Sequence, residues 1–185
     1  PLRRQRQMCI RDSNNSIHNS SILESTKTSE IYTSDDSTSE LNEYTERQIV
    51  AAICIELYKF NEKDAYDHAD DMIHNAETLS EISLGNVDSE EDAIQKAKSV
   101  FVETKGTEYI ERIESDFVEL NGEKVRYQRN NSPYSVNFYE KYDVWLIQPN
   151  LPSGITEDGR SVMTPGMTPY VIIRASDGKV LAVFH

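Results

Sequence analysis

The sequence has few of the residues that would indicate a particular chemistry at once. Among its 185 residues are two cysteines, one tryptophan and four histidines. Cys9 and Cys54 cannot form a disulfide framework in a chain of this length, and they lack the spacing of metal ligands. The cysteines therefore predict neither a disulfide scaffold nor a metal site, and they do not indicate a cellular compartment.

Long apolar runs are also missing. No stretch approaches the ~18 consecutive apolar residues that indicate a membrane span. The basic start of the chain is followed by Asn and Ser, not by the apolar stretch of a secretory signal. Because the sequence begins with Pro1, we expect the true N-terminus to be missing, and membrane contact would require an anchor there. The location, bacterial cytoplasm or envelope, stays unknown.

Basic residues are scarce compared with acidic ones. The chain has 19 Lys and Arg against 32 Asp and Glu, which gives a formal net charge of −13. Such a chain is repelled by phosphate backbones, so nucleic acid is not the expected partner. Two interpretations stay open, namely a basic protein partner and an acidic surface that serves solubility alone.

The first 44 residues differ from the rest in composition. Residues 1–13, "PLRRQRQMCIRDS", hold four Arg and resemble translated sequencing-adapter read-through, so we interpret them as non-native. A basic arm for nucleic acid or anionic lipid is the competing interpretation. Residues 14–44 are rich in Ser, Thr and Asn without a sustained apolar period, which predicts a disordered tether.

Helical periodicity begins at residue 45, and we expect an α+β domain over 45–185 with a helical part over 45–87. Thr45 and Gln48 have the spacing of a capping box before a first amphipathic helix. A second helical stretch starts at "NEKDAYDH", and Gly85 is expected to cap it. A third helix is expected to start after Asp88 or Ser89 as the N-cap and to end at Gly106.

Beyond Gly106 the apolar period changes from about 3.6 to 2. Asn121-Gly122 and Asp177-Gly178 each lie between alternating segments and predict β-hairpins. The segment "DVWLIQ" is apolar at both alternating positions, which predicts that both faces of this strand are covered. The fold class is therefore α+β, with about three helices packed against one face of a curved, mainly antiparallel sheet.

The densest group of ligand-type residues is "DHADDMIH", in which Asp67, Asp70, Asp71 and His74 share one helical face. Zinc proteases use two ligands at i and i+4, but they need a third from elsewhere. A solvated acidic face is the interpretation we favour, and no metal is predicted.

Nothing in the sequence pairs a nucleophile with a base at a recognisable spacing. His185 and the strand residues Tyr134, Tyr139 and Tyr170 are the candidates for acid or base chemistry, yet strand tyrosines are typical of core or rim positions. Cys54 and Trp145 are expected in the core. The sequence therefore predicts no catalytic residue and no cofactor.

The segment "PNLPSGITEDGRSVMTPGMT" is read as a long structureless loop, and such loops are often functional or disordered. Its charged middle, Glu157, Asp158 and Arg160, is predicted to lie at the rim of a partner-binding surface. Disorder of this loop is the alternative.

Three segments carry a resemblance: "DAIQKAKSVF", "SPYSVNFYEKYDVWLIQPNLP" and "TPYVIIRASDGKVLAVFH". Over residues 88–185 they resemble bacterial immunity proteins of the nuclear transport factor 2 fold. The resemblance implies a non-catalytic protein that neutralises a cognate toxin by binding it, with no chemistry of its own. Two alternatives stay open: an envelope-anchored binding module, and a hydrolase or dehydratase with a pocket in the concave sheet. A concave face filled by Trp145, Phe138 and Ile172 would argue against the pocket enzyme.

Overall fold

The computed structural model describes residues 44–79 and 85–185, and over these residues the fold is α+β, as predicted. The interpretations of residues 1–13 and 14–43 fall outside the described part of the chain. Tyr44, which the sequence assigns to the end of the tether, contacts Tyr142 with 5.3 Å between ring centroids. The described residues belong to one compact unit, Glu40–His185.

The described chain forms four α-helices followed by eight strands, with a short 3-10 helix (Glu140–Tyr142) between the third and fourth strands. The helices are α1 (Glu46–Tyr58), α2 (Glu62–Glu77), α3 (Glu90–Lys105) and α4 (Thr107–Glu114). The strands are β1 (Phe117–Leu120), β2 (Glu123–Arg129), β3 (Tyr134–Tyr139), β4 (Val144–Pro149), β5 (Ser153–Thr156), β6 (Ser161–Met163), β7 (Tyr170–Arg174) and β8 (Val180–Phe184).

Local signals fix most helix ends. Thr45 caps α1 in a complete capping box with Gln48, and the Ser89 side chain accepts from the backbone of Asp92 at the start of α3. Both starts are confirmed. The prediction that Gly85 caps the second helix is wrong, because α2 ends at Glu77 and its cap residue is Thr78.

The expectation of about three helices is wrong, because α4 makes a fourth. Gly106 ends α3 and precedes α4 at once, with a φ of 85° that favours glycine. Within α4, Ile110 and Ile113 are buried at i and i+3, so this helix has its own apolar face.

The strands form two four-stranded antiparallel sheets, in the orders β1-β2-β5-β6 and β3-β4-β7-β8. The predicted hairpins at Asn121-Gly122 and at Asp177-Gly178 are confirmed. Both residues of the first turn have positive φ, 54° and 83°, as a type I′ turn requires.

One bent ribbon joins the two sheets. Tyr127 lies opposite Thr156 in the first sheet, and Tyr134 lies opposite Pro149 in the second. Tyr134 follows Tyr127 by seven positions and Pro149 precedes Thr156 by seven positions, so the register is the same on both sides of the bend. The pairing continues beyond β2 and β5, because the backbone N–H of Asn130 donates to the carbonyl of Ser153 (2.9 Å).

Arg129 holds this bend. Its Nη1 donates to the carbonyl of Ile113 at the end of α4 and to the Tyr127 hydroxyl, both at 2.7 Å. Its Nη2 donates to the Asn150 carbonyl (3.1 Å) and its Nε to the Asn131 carbonyl (3.3 Å). A single guanidinium therefore links α4 to both strands of the ribbon where they turn, because its fork of donors reaches several acceptors at once.

Helices cover both faces of the β3-β4-β7-β8 sheet. Val144 and Leu146 belong to a core cluster with α1 and α2, while Ile147 and Trp145 pack in a second cluster with α3 and α4. The prediction that both faces of "DVWLIQ" are covered is confirmed. The prediction that the helices pack against one face is wrong, since the alternating apolar residues need a cover on each side.

Gly154 is a position that tolerates no side chain. A Cβ atom there would lie 1.9 Å from the carbonyl oxygen of Gln128 and 2.9 Å from Cδ2 of Tyr127. We expect Gly154→Ala to lower the free energy of unfolding by at least about 2 kcal/mol, because the backbone of β2 or β5 must shift. Urea denaturation measures the change. Ser153→Ala is the control, with an expected change within about 0.5 kcal/mol; equal stabilities of the two variants would contradict the prediction.

Arg129→Met tests the bend itself. The methionine keeps much of the aliphatic stem but none of the donors, so it leaves three backbone carbonyls without this partner. We expect the free energy of unfolding to fall by about 2 to 4 kcal/mol. The control is Arg126→Met on the same strand, where the side chain is exposed and the expected loss is below about 0.5 kcal/mol. A loss at residue 129 no larger than at residue 126 would show that the bend does not need the guanidinium.

Candidate functional site

The segment predicted as a structureless loop contains a β-hairpin. Strands β5 and β6 pair with Ser153 opposite Met163, and Glu157, Asp158 and Arg160 lie in the turn between them. The loop prediction, with its alternative of disorder, is therefore wrong over these strands. The three charged residues do lie together, at one end of the β1-β2-β5-β6 sheet.

Asp158 organises this turn. Its carboxylate accepts from Nε of Arg160 (2.8 Å to Oδ2) and from the Thr156 hydroxyl. The hydrogen bonds from Arg160, and next from Thr156, lower the pKa of Asp158 to about 2. Asp158 and Arg160 thus stabilise the turn, while Glu157 is exposed. Of the three predicted residues, Glu157 is the one whose side chain faces solvent without a hydrogen bond or ion pair in the described structure.

A cleft of about 510 Å³ lies beside this turn. Side chains of β2, β5 and their flanks line it, among them Asp116, Arg126, Gln128, Ile155 and Glu157. With Arg129, which also lines the cleft, two carboxylates and two guanidinium groups lie around the Ile155 side chain. We call this region the β2–β5 cleft.

Three residues that line the β2–β5 cleft, Arg126, Gln128 and Ile155, lie on a sheet face that carries exposed apolar side chains. Pairing places Phe117 opposite Arg126, Gln128 opposite Ile155, and Ser153 opposite Met163, so these residues share one face. Phe117 is 43 % exposed, Ile155 53 % and Met163 80 %. The opposite face is buried at Tyr127, Thr156 and Val162. One face of this sheet is thus open in the described structure.

The acidic face of α2 is engaged mainly in ion pairs. Arg47 donates to both oxygens of Asp70 (2.6 and 2.8 Å), Lys63 pairs with Asp67 (2.6 Å), and His74 lies 3.8 Å from Glu77. Among the described residues no three His, Cys, Asp or Glu side chains converge as metal ligands. The arrangement is that of a solvated face with local pairing.

His68 also lies on α2, and its ring contacts Phe60 and Phe184 in a group of five neighbouring rings. Each ring neighbours two others, and the distances between neighbouring centroids are as follows: Tyr58–Phe60 5.4 Å, Phe60–His68 5.1 Å, His68–Phe184 5.9 Å, Phe184–Tyr170 5.1 Å and Tyr170–Tyr58 5.7 Å. The five side chains line a pocket of about 280 Å³, which we call the aromatic pocket. Gln148, Met167 and Thr168 line its other side.

Two buried sulfur-containing side chains, Met72 and Cys54, pack next to the aromatic pocket at Tyr170. The Tyr170 hydroxyl donates to Sδ of Met72 (3.2 Å), and the Cys54 thiol lies 3.9 Å from the same sulfur. Burial raises the pKa of the Tyr170 hydroxyl and of the Cys54 thiol. Tyr170 and Cys54 are almost fully buried, so Cys54 is a core residue as predicted. The sequence placed Tyr170 on a strand but did not reveal the ring of aromatics, whose members come from α1, α2, β7, β8 and the connection between α1 and α2.

The remaining candidates lie apart from these two sites. Trp145 is partly buried and donates through Nε1 to the Val87 carbonyl (2.9 Å), and Phe138 packs on it while staying 45 % exposed. Tyr134 is buried and donates to Glu114 (3.1 Å), and the pKa of its hydroxyl is raised mainly by burial. Tyr139 is half-buried and His185 is exposed. Phe138 lies opposite Trp145 and Ile172 lies opposite Leu146, so Phe138 and Ile172 are on opposite faces of the sheet and do not fill one common concavity.

The comparisons with known proteins add no identification. No family model, no curated protein and no solved structure matches the chain. Among the described helices, none is long and apolar enough to cross a bilayer.

The turn at Asp158 predicts a specific pH response. A carboxylate whose pKa is lowered on folding stabilises the fold above its unfolded pKa of ~3.9, and this contribution is lost as the pH falls through about 2. We expect Arg160→Gln to raise the pKa of Asp158 towards ~3.9, because the main hydrogen-bond donor is removed. Carbon-13 NMR of the side-chain carboxyl measures this pKa. Arg126→Gln removes an equal charge from the cleft and should leave it near 2; an unchanged pKa in Arg160→Gln would contradict the assigned cause.

Proposed function

We propose that the chain is an immunity-type protein of the nuclear transport factor 2 fold, which neutralises a cognate bacterial toxin by binding it. The proposal assigns the partner to the open face of the β1-β2-β5-β6 sheet. Glu157 lies at the rim of this face, and the toxin is occluded without any bond being made or broken.

One observation carries the proposal. The open face combines exposed apolar side chains, Phe117, Ile155 and Met163, with a cleft that holds charges of both signs. Apolar area surrounded by polar residues is typical of protein–protein interfaces, whereas isolated exposed apolar residues need no explanation. Strand β6 is also an edge strand of this sheet in the described structure, and an exposed strand edge can pair with another chain.

Two further features support the proposal. The segments that carry the family resemblance form α3 and the four adjacent strands β3, β4, β7 and β8. Residues of α3 share a core cluster with this sheet. The net charge of −13 favours fast association with a basic partner, because complementary charge raises the association rate.

The test is co-expression of this gene with the toxin-like gene beside it, followed by measurement of cell survival. We expect rescue by the native chain, and a purified complex of the two proteins. Glu157→Lys and Ile155→Asp should weaken the complex by about tenfold or more, because they place a charge of the wrong sign or a desolvated carboxylate in the interface. Failure of the native chain to rescue or to form a complex would remove the proposal.

Glu111→Lys is the matched control. Glu111 is exposed on α4, outside the lining of the β2–β5 cleft, and its reversal changes the net charge by the same amount as Glu157→Lys. Unchanged affinity is expected for this variant. Equal weakening by the two reversals would show that overall charge alone attracts the partner and would contradict the assignment of the surface. Deleting residues 154–163 is not a suitable test, because it removes the buried residues Gly154, Thr156 and Val162.

A further inference from the structure

The aromatic pocket has the geometry of a closed ring. Its five neighbouring centroid distances all lie between 5.1 and 5.9 Å. The Phe60 and His68 rings meet at 74°, and the other four neighbouring pairs meet at 20 to 31°. A cation in the pocket has several rings near it, and a cation–π contact forms where it lies within ~6 Å of a centroid over the face of that ring. The pocket volume of about 280 Å³ is below the ~300 to 1,000 Å³ of sites for drug-sized ligands, so it suits a small headgroup.

The charges around the aromatic pocket favour a cation. The residues that line it include no Lys, Arg, Asp or Glu. The segment 56–71, which carries Tyr58, Phe60 and His68, contains six acidic residues and two lysines. Both lysines are held locally, Lys59 by the Glu56 carbonyl (2.8 Å) and Lys63 by Asp67 (2.6 Å). A bound cation therefore meets aromatic rings in the pocket and net negative charge on the neighbouring segment.

The same pair of helices already holds one guanidinium in this manner. The Arg47 guanidinium carbon lies 4.6 Å from the Tyr66 ring centroid, while Asp70 accepts two hydrogen bonds from the same group. Tyr66 and Asp70 lie on α2, the helix that supplies His68. An aromatic face with nearby carboxylates is thus a cation-holding arrangement that this helix forms within the chain.

We propose that the aromatic pocket binds an organic cation through its alkylammonium or guanidinium group. The aromatic rings offer cation–π contacts, and the acidic segment raises the local concentration of cations. A neutral ligand of the same shape gains the apolar contact but not these two attractions. The inference goes beyond the proposed function and does not depend on it, since the pocket and the β2–β5 cleft share no lining residue.

The test uses NMR titration of the purified chain with choline and with 3,3-dimethylbutan-1-ol, its neutral isostere. We expect choline to bind with an upfield shift of its methyl protons, and the isostere to bind at least about fivefold more weakly. Acetyl-arginine amide forms a second arm. Tighter binding of choline identifies a small-molecule cation as the ligand, and tighter binding of the arginine compound identifies a side chain of a protein partner.

Variants connect the binding to the pocket. Tyr58→Leu and Phe60→Leu keep apolar area but remove a ring, and each should weaken cation binding at least about threefold. Tyr58 is 42 % exposed, so its replacement does not threaten the core and decides the test if Phe60→Leu fails to fold. Phe138→Leu, which replaces an exposed aromatic residue outside the pocket, should leave the affinity unchanged. The proposal is overturned if the isostere binds as tightly as choline, if neither cation binds, or if the two pocket variants bind as the native chain does.

Discussion

The hydrogen bonds of Arg129 connect the two halves of the described structure. They join the end of α4 to the ribbon at the place where its strands pass from one sheet to the other. Backbone carbonyls at such a bend lose their ladder partners, and a buried carbonyl without a partner is costly. The guanidinium supplies several donors from one side chain, which is why a single residue can hold a corner that three short segments share.

This corner separates two environments with different surfaces. On one side, the β3-β4-β7-β8 sheet is covered by helices on both faces, and residues at one end of its strands form the aromatic pocket together with residues of α1, α2 and their connection. On the other side, the β1-β2-β5-β6 sheet keeps one open face with the β2–β5 cleft. The first environment suits a small ligand surrounded by rings. The second suits a broad protein surface, so the two sites can act independently.

Sequence reasoning succeeded where a short motif determines the local structure. Thr45 with Gln48, and Asn121 with Gly122, form their cap and turn through neighbouring residues alone. It failed for α4, because Gly106 joins two helices without a polar loop, and for β5 and β6, whose buried positions are Gly154, Thr156 and Val162 and thus show no apolar run. The aromatic pocket had no local signal at all, since its rings meet only through tertiary packing.

The unchanged register of the bent ribbon limits how such a chain can vary in length. The ribbon has two arms, residues 127–139 and residues 144–156, and the register between them is constant from the Tyr127–Thr156 pair through the bend to the Tyr139–Val144 pair. Because side chains alternate between faces, losing or gaining one residue in either arm would turn buried positions outward on one side of the corner. Homologous chains should therefore carry their insertions and deletions at the turns, such as residues 157–160, while the arms between them keep a constant length.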